Sequence, residues 1–345
     1  MKKIAIVTKP NYSSPRILAD CLQSSFSQLE GIQSEVFHKI FVFKRLLKHA
    51  QVAKNYNFFS WKAYQMLNYI QDQLFLRKLK GYDAVVIVET SPKCYLSYTY
   101  DFVKLKKKLK GIPMIYHGVY YLGNAPTMIS YLGEGGHHLE DIFDWHLSVS
   151  EVTEIRSKPK APWSQIGINL QSTGLVPTPK KELLAIIDFY REGYEEARNE
   201  QIKALKAVGI PYLELSGNYT IDEIREVYKK ATFYFLQFPE SFGLPIAECL
   251  SCGVYVFTPD TSWAMAWRLN DDVQVHGPGE LADCFVVYEG QEGLQEKLLH
   301  YKSNYDLQNS PKEVFKVFMD HYSDYYTGNK TEFNQFMKKL QSGEL

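Results

Sequence analysis

The sequence predicts an α/β protein built from two doubly wound domains, and three observations carry that expectation. Its 345 residues exceed what one ordinary core organises and suit two domains of average size. Short β-rich runs alternate with helix-period segments in two separate series, the pattern of buried parallel strands joined by crossover helices. Between the two series, residues 168–181 (INLQSTGLVPTPKK) lose periodicity and gather Gly, Pro, Ser and Thr, as a linker does.

Taken in order, residues 3–8 (KIAIVT) read as a strand, followed by a Pro-Asn-Ser-Ser turn and a helical stretch, RILADCLQSSF. The same grammar recurs at DAVVIVET, at GIPMIYHG after a Lys-rich helix, and at WHLSVS, which gives an N-terminal Rossmann-like domain over 1–167. The second series spans 182–310. ELLAIIDF is a strand, GYEEARNEQIKALKAVG a helix ended by Gly209, PYLELSG a strand, TIDEIREVYKKA a helix opened by Thr220, and TFYFLQF a strand. The last stretch, 311–345, is amphipathic and helical, and it suits either domain as a packing partner.

Composition narrows the class. Hydrophobic residues at 45% and charged residues at 23% describe a soluble globular protein. No apolar run reaches the length of a membrane span, and MKKIAIVTKPNYSS lacks a signal-peptide core, so a cytoplasmic location is expected. The five cysteines lack the even spacing of a disulfide framework; Cys249 and Cys252 form a C-x-x-C with no second zinc-like pair, and helix packing accounts for them.

Charge is balanced overall but not along the chain. Residues 1–150 carry 19 Lys+Arg against 11 Asp+Glu, and the remainder 20 against 28, which suits an anionic partner for the first domain. Within it, residues 38–80 hold nine Lys+Arg and the single acid Asp72, interleaved with Phe41, Phe43, Phe58, Phe59, Trp61 and Tyr64. That insertion suits a peripheral contact with an anionic membrane surface on its inner face; a helical insertion with core aromatics and solvated lysines accounts for it equally well. Lys104 to Lys110 form one helix face without a recognition motif, so no nucleic-acid partner is expected.

The most informative segment is PESFGLPIAECLSCG, residues 239–253. Pro245 suits the first turn of a helix beginning near Leu244. The amides of Ser241, Phe242, Gly243 and Leu244 would then lack helical partners and, with the helix dipole, form an anion site. Gly243 permits close approach to the backbone. Glu240 stands at the carboxyl end of a strand, where ligands of open α/β sheets bind. Glu248 falls one turn into the helix, where a carboxylate can accept from a vicinal diol such as a ribose. Two bland readings compete: Glu248 as an offset to the helix dipole, worth under about 1 kcal/mol, and Glu240 as a loop charge.

PESFGLPIAECLSCGVYVFTPD resembles the E-x(7)-E segment of retaining glycosyltransferases of the GT-B fold, the large family of bacterial polysaccharide and glycolipid transferases. TIDEIREVYKKATFYF looks like the helix and strand that precede it there, so the match covers roughly 184–268. The resemblance implies two Rossmann-like domains facing across a cleft, with a nucleotide-sugar donor held by the second. It implies that Glu240 contacts the donor sugar, Glu248 grips the ribose, and the Phe242-Gly243-Leu244 amides hold the diphosphate, with no metal and no other cofactor. By the same resemblance His117, in MIYHGVYY, faces the donor sugar; Tyr120, Tyr121 and Asn124 follow it toward the acceptor, and Gly217 and Asn218 lie near the nucleobase. A structural role for His117 weighs equally.

One departure stands out. The family carries an Arg and a Lys on the first strand and loop of the second domain, whereas this chain has IIDFYREGYEEA, with Ile187 or Asp188 and Glu192 in those places. Arg191 is the nearby substitute, since guanidinium binds phosphate bidentately. The expectation is therefore an enzyme that transfers a sugar, with retention, from a nucleotide-sugar to a glycan or lipid-linked acceptor on the basic first domain. A non-catalytic scaffold on this fold and a nucleotide-sugar epimerase or hydrolase are the alternatives.

Overall fold

The computed structural model describes residues 1–8, 14–38, 58–88, 102–120, 142–150, 162–238, 240, 242–259, 266–269 and 279–345. Tyr121, Asn124, Ser241 and residues 39–57 of the basic insertion lie outside them. The first sheet comprises β1 (Lys2–Thr8), β2 (Ile32–His38), β3 (Ala84–Val88), β4 (Met114–Gly118), β5 (Trp145–Ser148) and β6 (Trp163–Gln165). All pairs are parallel, in the order β2-β1-β3-β4-β5-β6. Parallel strands need crossovers, supplied here by α1 (Ser14–Ser27), α2 (Phe58–Leu79) and α3 (Phe102–Lys108). The central strands β3 and β4 are buried along their whole length, as their unbroken apolar runs require.

The second sheet comprises β7 (Ala185–Ile187), β8 (Tyr212–Glu214), β9 (Phe233–Phe235), β10 (Tyr255–Thr258) and β11 (Phe285–Val287). It is again parallel, in the order β11-β10-β9-β7-β8. Its helices are α4 (Glu195–Val208), α5 (Ile221–Lys230), α6 (Leu244–Ser251) and α7 (Gly290–Asn304). Gly209 ends α4 in the left-handed conformation, φ 69°. Thr220 opens α5 with a full capping box, its hydroxyl accepting from the Glu223 amide while the Glu223 carboxylate accepts from the Thr220 amide. In both sheets the first strand lies between the second and third, so the order reverses there. For the second sheet this switch point falls between β7 and β9.

The linker contains a 3-10 turn, Leu170–Thr173, and Lys180. The buried Lys180 ammonium donates to the carbonyls of Lys229 and Cys252, each at 2.9 Å, and so caps the C-terminal ends of α5 and α6 together. Burial holds its pKa down at about 8.

The C-terminal segment packs on both domains in turn. Helix α8 (Ser310–Thr327) lies on the second, where the Tyr322 hydroxyl donates to the Trp267 carbonyl at 2.6 Å and the Tyr325 hydroxyl to that of Ala266 at 2.7 Å. Helix α9 (Lys330–Ser342) returns to the first, with Phe333 5.4 Å from Phe26 and Phe336 6.1 Å from Trp145 between ring centroids. Where the chain crosses, the Ile168 amide donates to the Asp324 carbonyl and the Asn329 amide to that of Ile166. Gly167 admits this crossing, because a Cβ there would stand 2.0 Å from the Asp324 carbonyl oxygen. Among the described residues, no helix is long and apolar enough to cross a membrane.

Candidate functional site

Ligands of doubly wound sheets bind outside the carboxyl ends of the strands at the switch point. In the second domain the loops after β7 and β9 meet there. The Asp188 backbone ties them together: its amide donates to the Phe235 carbonyl at 3.1 Å, and its carbonyl accepts from the Gln237 side chain at 3.1 Å and from the Arg198 guanidinium. Burial pushes the Asp188 carboxyl up, against contacts from Tyr234, its neighbour's amide, Arg191 and Arg198. Gln201, buried on α4, braces the end of β9 by donating to the Leu236 carbonyl at 2.6 Å.

Arg191 is exposed, and its guanidinium lies 3.6 Å from the centroid of the Phe238 ring, so it bridges the β7 and β9 loops. Tyr194 packs on the same Phe238 ring at 5.2 Å. Glu240 follows, half-buried, two residues past Phe238.

Gly243 caps the start of α6 at φ 65°, a conformation that disfavours a side chain. What fills the space over it is Glu240 itself: a Cβ on Gly243 would stand 2.6 Å from Glu240 Cγ and 2.9 Å from Ile246 Cδ1. Phe242 is an anchor rather than a surface residue. It is buried, stacked on Trp267 at 5.4 Å, edge-on to Tyr325 at 4.9 Å, and its carbonyl accepts from the Trp267 indole. Leu244 is buried at the first position of α6, and Pro245 lies in its first turn. The segment therefore holds the start of α6 and Glu240 on a rigid aromatic base.

Glu248 is 2% exposed and faces α5, where the Arg225 Nε donates to its Oε1 at 2.9 Å. Burial raises its carboxyl pKa, and the Arg225 charge and hydrogen bond oppose the rise. Sequence reasoning missed Arg225, because in DEIREVYKK it reads as one more solvated charge on a polar helix face. Arg225 also lines a polar pocket of about 500 Å³ between the domains, with Asp20 and Ser24 of α1 and Ser172 and Thr173 of the linker turn.

Gly217 (φ 75°) and Asn218 are exposed on the loop after β8. Asn218 borders a shallow groove along α5 with Tyr219 and Asp222, and the Tyr219 ring meets Phe189 edge-on at 6.0 Å. In the first domain, His117 ends β4 with its side chain 2% exposed and its Nδ1 3.3 Å from the Leu147 carbonyl. Burial lowers its pKa to about 4, so the ring is neutral at physiological pH and Nδ1 is the protonated nitrogen. It lines a cavity of about 200 Å³ beneath α1, with Ser25, Asn169 and Asn329. Tyr120 is buried beside it in the chain, at 9% exposure. Among the described residues no three His, Cys, Asp or Glu side chains converge as metal ligands. The buried thiol of Cys21 is pushed up to about 12, and Cys249 and Cys252 are free and buried, as helix packing implies.

The sequence matches no protein-family model and no curated protein. Solved structures resemble it along its whole length. HepE of Anabaena in complex with UDP has a TM-score of 0.53 at 11% identity, over 99% of this chain and 100% of that one. The UDP-GlcNAc 2-epimerase of Neisseria meningitidis bound to UDP-GlcNAc gives 0.55 at 11% identity, with the same coverage. The UDP-forming α,α-trehalose-phosphate synthase of Burkholderia xenovorans in complex with glucose-6-phosphate gives 0.51 at 10% identity, again over 99% and 100%. Two parallel-sheet α/β domains, each with its own switch point, and a C-terminal helical segment make this chain a GT-B fold.

Proposed function

We propose that the protein transfers a sugar from a nucleotide-sugar donor to a glycan or lipid-linked acceptor, with retention of configuration and without a metal. The observation that carries this reading is the grouping at the second switch point: the Arg191 guanidinium lies over Phe238, two residues before Glu240, and Glu240 packs over the glycine-capped start of α6, on the loops where the fold binds ligands. In this reading the free amides at the start of α6 and Arg191 stabilise the departing diphosphate, and Glu248 accepts from the ribose hydroxyls. Glu240 orients the donor sugar, with His117 facing it from the first domain as a neutral group. Gly217 and Asn218 border the nucleobase, and Tyr120, Tyr121 and Asn124 lie on the acceptor side. Catalysis then comes from position and fixed charge rather than from a protein nucleophile.

UDP is the first nucleotide to test, because HepE and the Neisseria epimerase are crystallised with UDP and UDP-GlcNAc. Calorimetric titration with UDP and UDP-sugars should show binding that Glu248→Ala abolishes. Absence of binding to every nucleotide would sink the donor-site reading. The likeness in fold to the epimerase supports a second reading, separated by incubating the protein with a UDP-sugar alone. Interconversion of the donor without an acceptor identifies an epimerase, and acceptor-dependent release of UDP a transferase.

The acceptor side of the proposal includes an anionic membrane surface. Along α2, Met66, Tyr69, Ile70 and Leu74 are exposed at 60%, 63%, 45% and 63%, at the spacing of one helix face, with Lys62, Arg77, Lys78 and Lys80 exposed on the same helix and just beyond it. Binding to vesicles containing anionic lipid should weaken with salt and be lost in Ile70→Asp/Leu74→Asp. Salt-independent or unaltered binding rules this out.

A further inference from the structure

The Arg225–Glu248 pair is the most deeply buried ion pair among the described residues, with side chains 14% and 3% exposed. A buried pair of this kind rarely adds stability over well-packed apolar residues, so its presence invites a functional explanation. Among the described residues, five titratable groups interact electrostatically with Glu248. From α5 come Arg225 and Tyr228, from α1 Cys21, and from α6 and its cap Cys249 and Cys252. The tyrosine and the three cysteines are all held neutral by burial. Asp20, the further acid near Cys21, pairs with Arg16 at 2.7 Å. Among the described residues, Arg225 is therefore the one cation acting on this carboxylate.

The contact is also one-sided. Arg225 reaches Oε1 through Nε, which leaves the other carboxylate oxygen outside this bond. The same Arg225 side chain lines the interdomain pocket, so it connects the enclosed Glu248 to the space between the domains.

We propose that Arg225 is a positioning residue for the donor: it fixes the Glu248 carboxylate by an ion pair through Oε1 and leaves Oε2 to accept from the ribose hydroxyls. This rests on the reading that Glu248 grips the ribose. It makes donor affinity depend on a residue that touches no part of the donor.

The test is UDP affinity, measured by calorimetry across about pH 6 to 9, for wild type, Arg225→Met, Arg225→Lys, Glu248→Gln and Arg225→Met/Glu248→Gln. Without Arg225, only the opposing effect of burial remains on Glu248, and its carboxyl protonates at higher pH. Arg225→Met should then bind roughly ten- to a hundred-fold more weakly at the acid end, with the deficit shrinking as pH rises. Arg225→Lys, which keeps the charge, should fall between it and wild type. The double variant should match Glu248→Gln alone and show no pH dependence of its own, and it serves as the control if Arg225→Met folds poorly. A loss of affinity that is the same at every pH, or additive effects in the double variant, would mean a mere brace between helices and overturn the proposal. Unaltered binding in Arg225→Met overturns it while the donor site stands. Absence of UDP binding by wild type overturns both.

Discussion

Glu240 and Glu248 stand eight residues apart on one loop-and-helix segment but occupy opposite environments. Glu240 is half-buried on a loop, its stem packed over Gly243, whereas Glu248 is enclosed and ion-paired. The difference assigns different consequences to their removal. Glu240→Gln keeps the shape and loses the charge, so turnover should fall by orders of magnitude while nucleotide affinity stays nearly constant, as measured by steady-state rates beside calorimetry. Equal loss of both would place Glu240 on the nucleotide instead of the sugar. His117 makes a prediction about stability. Its folded pKa of about 4 lies below the ordinary 6.5, so the unfolded chain takes up the proton first, and stability is lost as pH falls from about 6.5 toward 4. Urea denaturation at several pH values should show a shallower acid loss in His117→Asn than in wild type. The positions of both glutamates were legible from the strand-loop-helix string around them. The burial of Glu248 was not, because its partner lies 23 residues upstream on a different helix.

Helix α6 is short, and its start is shaped by residues outside it. Gly243 must hold a left-handed φ, and its missing Cβ is the space that Glu240 and Ile246 use. Gly243→Ala therefore forces Glu240 aside as well as straining the backbone, at a cost of about 1 kcal/mol or more in stability. The expected signature is a large loss of turnover with a modest loss of thermal stability. A variant with normal turnover would show that Glu240 need not stand where it does. The same elements show which parts of a fold the sequence displays. β3, β4 and β9 lie inside their sheets, are buried on both faces and stand out as apolar runs, and the Thr-x-x-Glu at the start of α5 marks its capping box. The strands that escaped notice, β2, β6 and β11, are all sheet edges. β6 and β11 are only three residues long, and β2 alternates between half-buried and exposed positions from Ile32 to Val36 before the buried Phe37. An edge strand has a partner on one side only and needs no continuous apolar run.

At the scale of the whole molecule, the C-terminal helices decide how the two domains behave as one. Helix α8 is fastened to the second domain by Tyr322, Tyr325 and the close passage of Pro311 over Gly253, where a Cβ would meet the Pro311 carbonyl oxygen at 2.3 Å. Helix α9 is fastened to the first by Phe333 and the fully buried Phe336. The amphipathic pattern of 311–345 announced helices but could not say which domain they would cover, since either offers an apolar face. Because the tail is anchored on both sides, unfolding of one domain strips packing from the other, and the two should melt together. Phe336→Ala removes a core ring on the α9 side alone, at a cost of about 3–5 kcal/mol. The loss falls on the first domain and on the strap, while the contacts of α8 with Trp267 and Ala266 remain. Calorimetry should therefore show the single wild-type transition separating into an early melt of the first domain and a later melt of the second. One transition displaced as a whole would mean that the linker contacts around Ile166–Leu170, and not the strap, couple the domains.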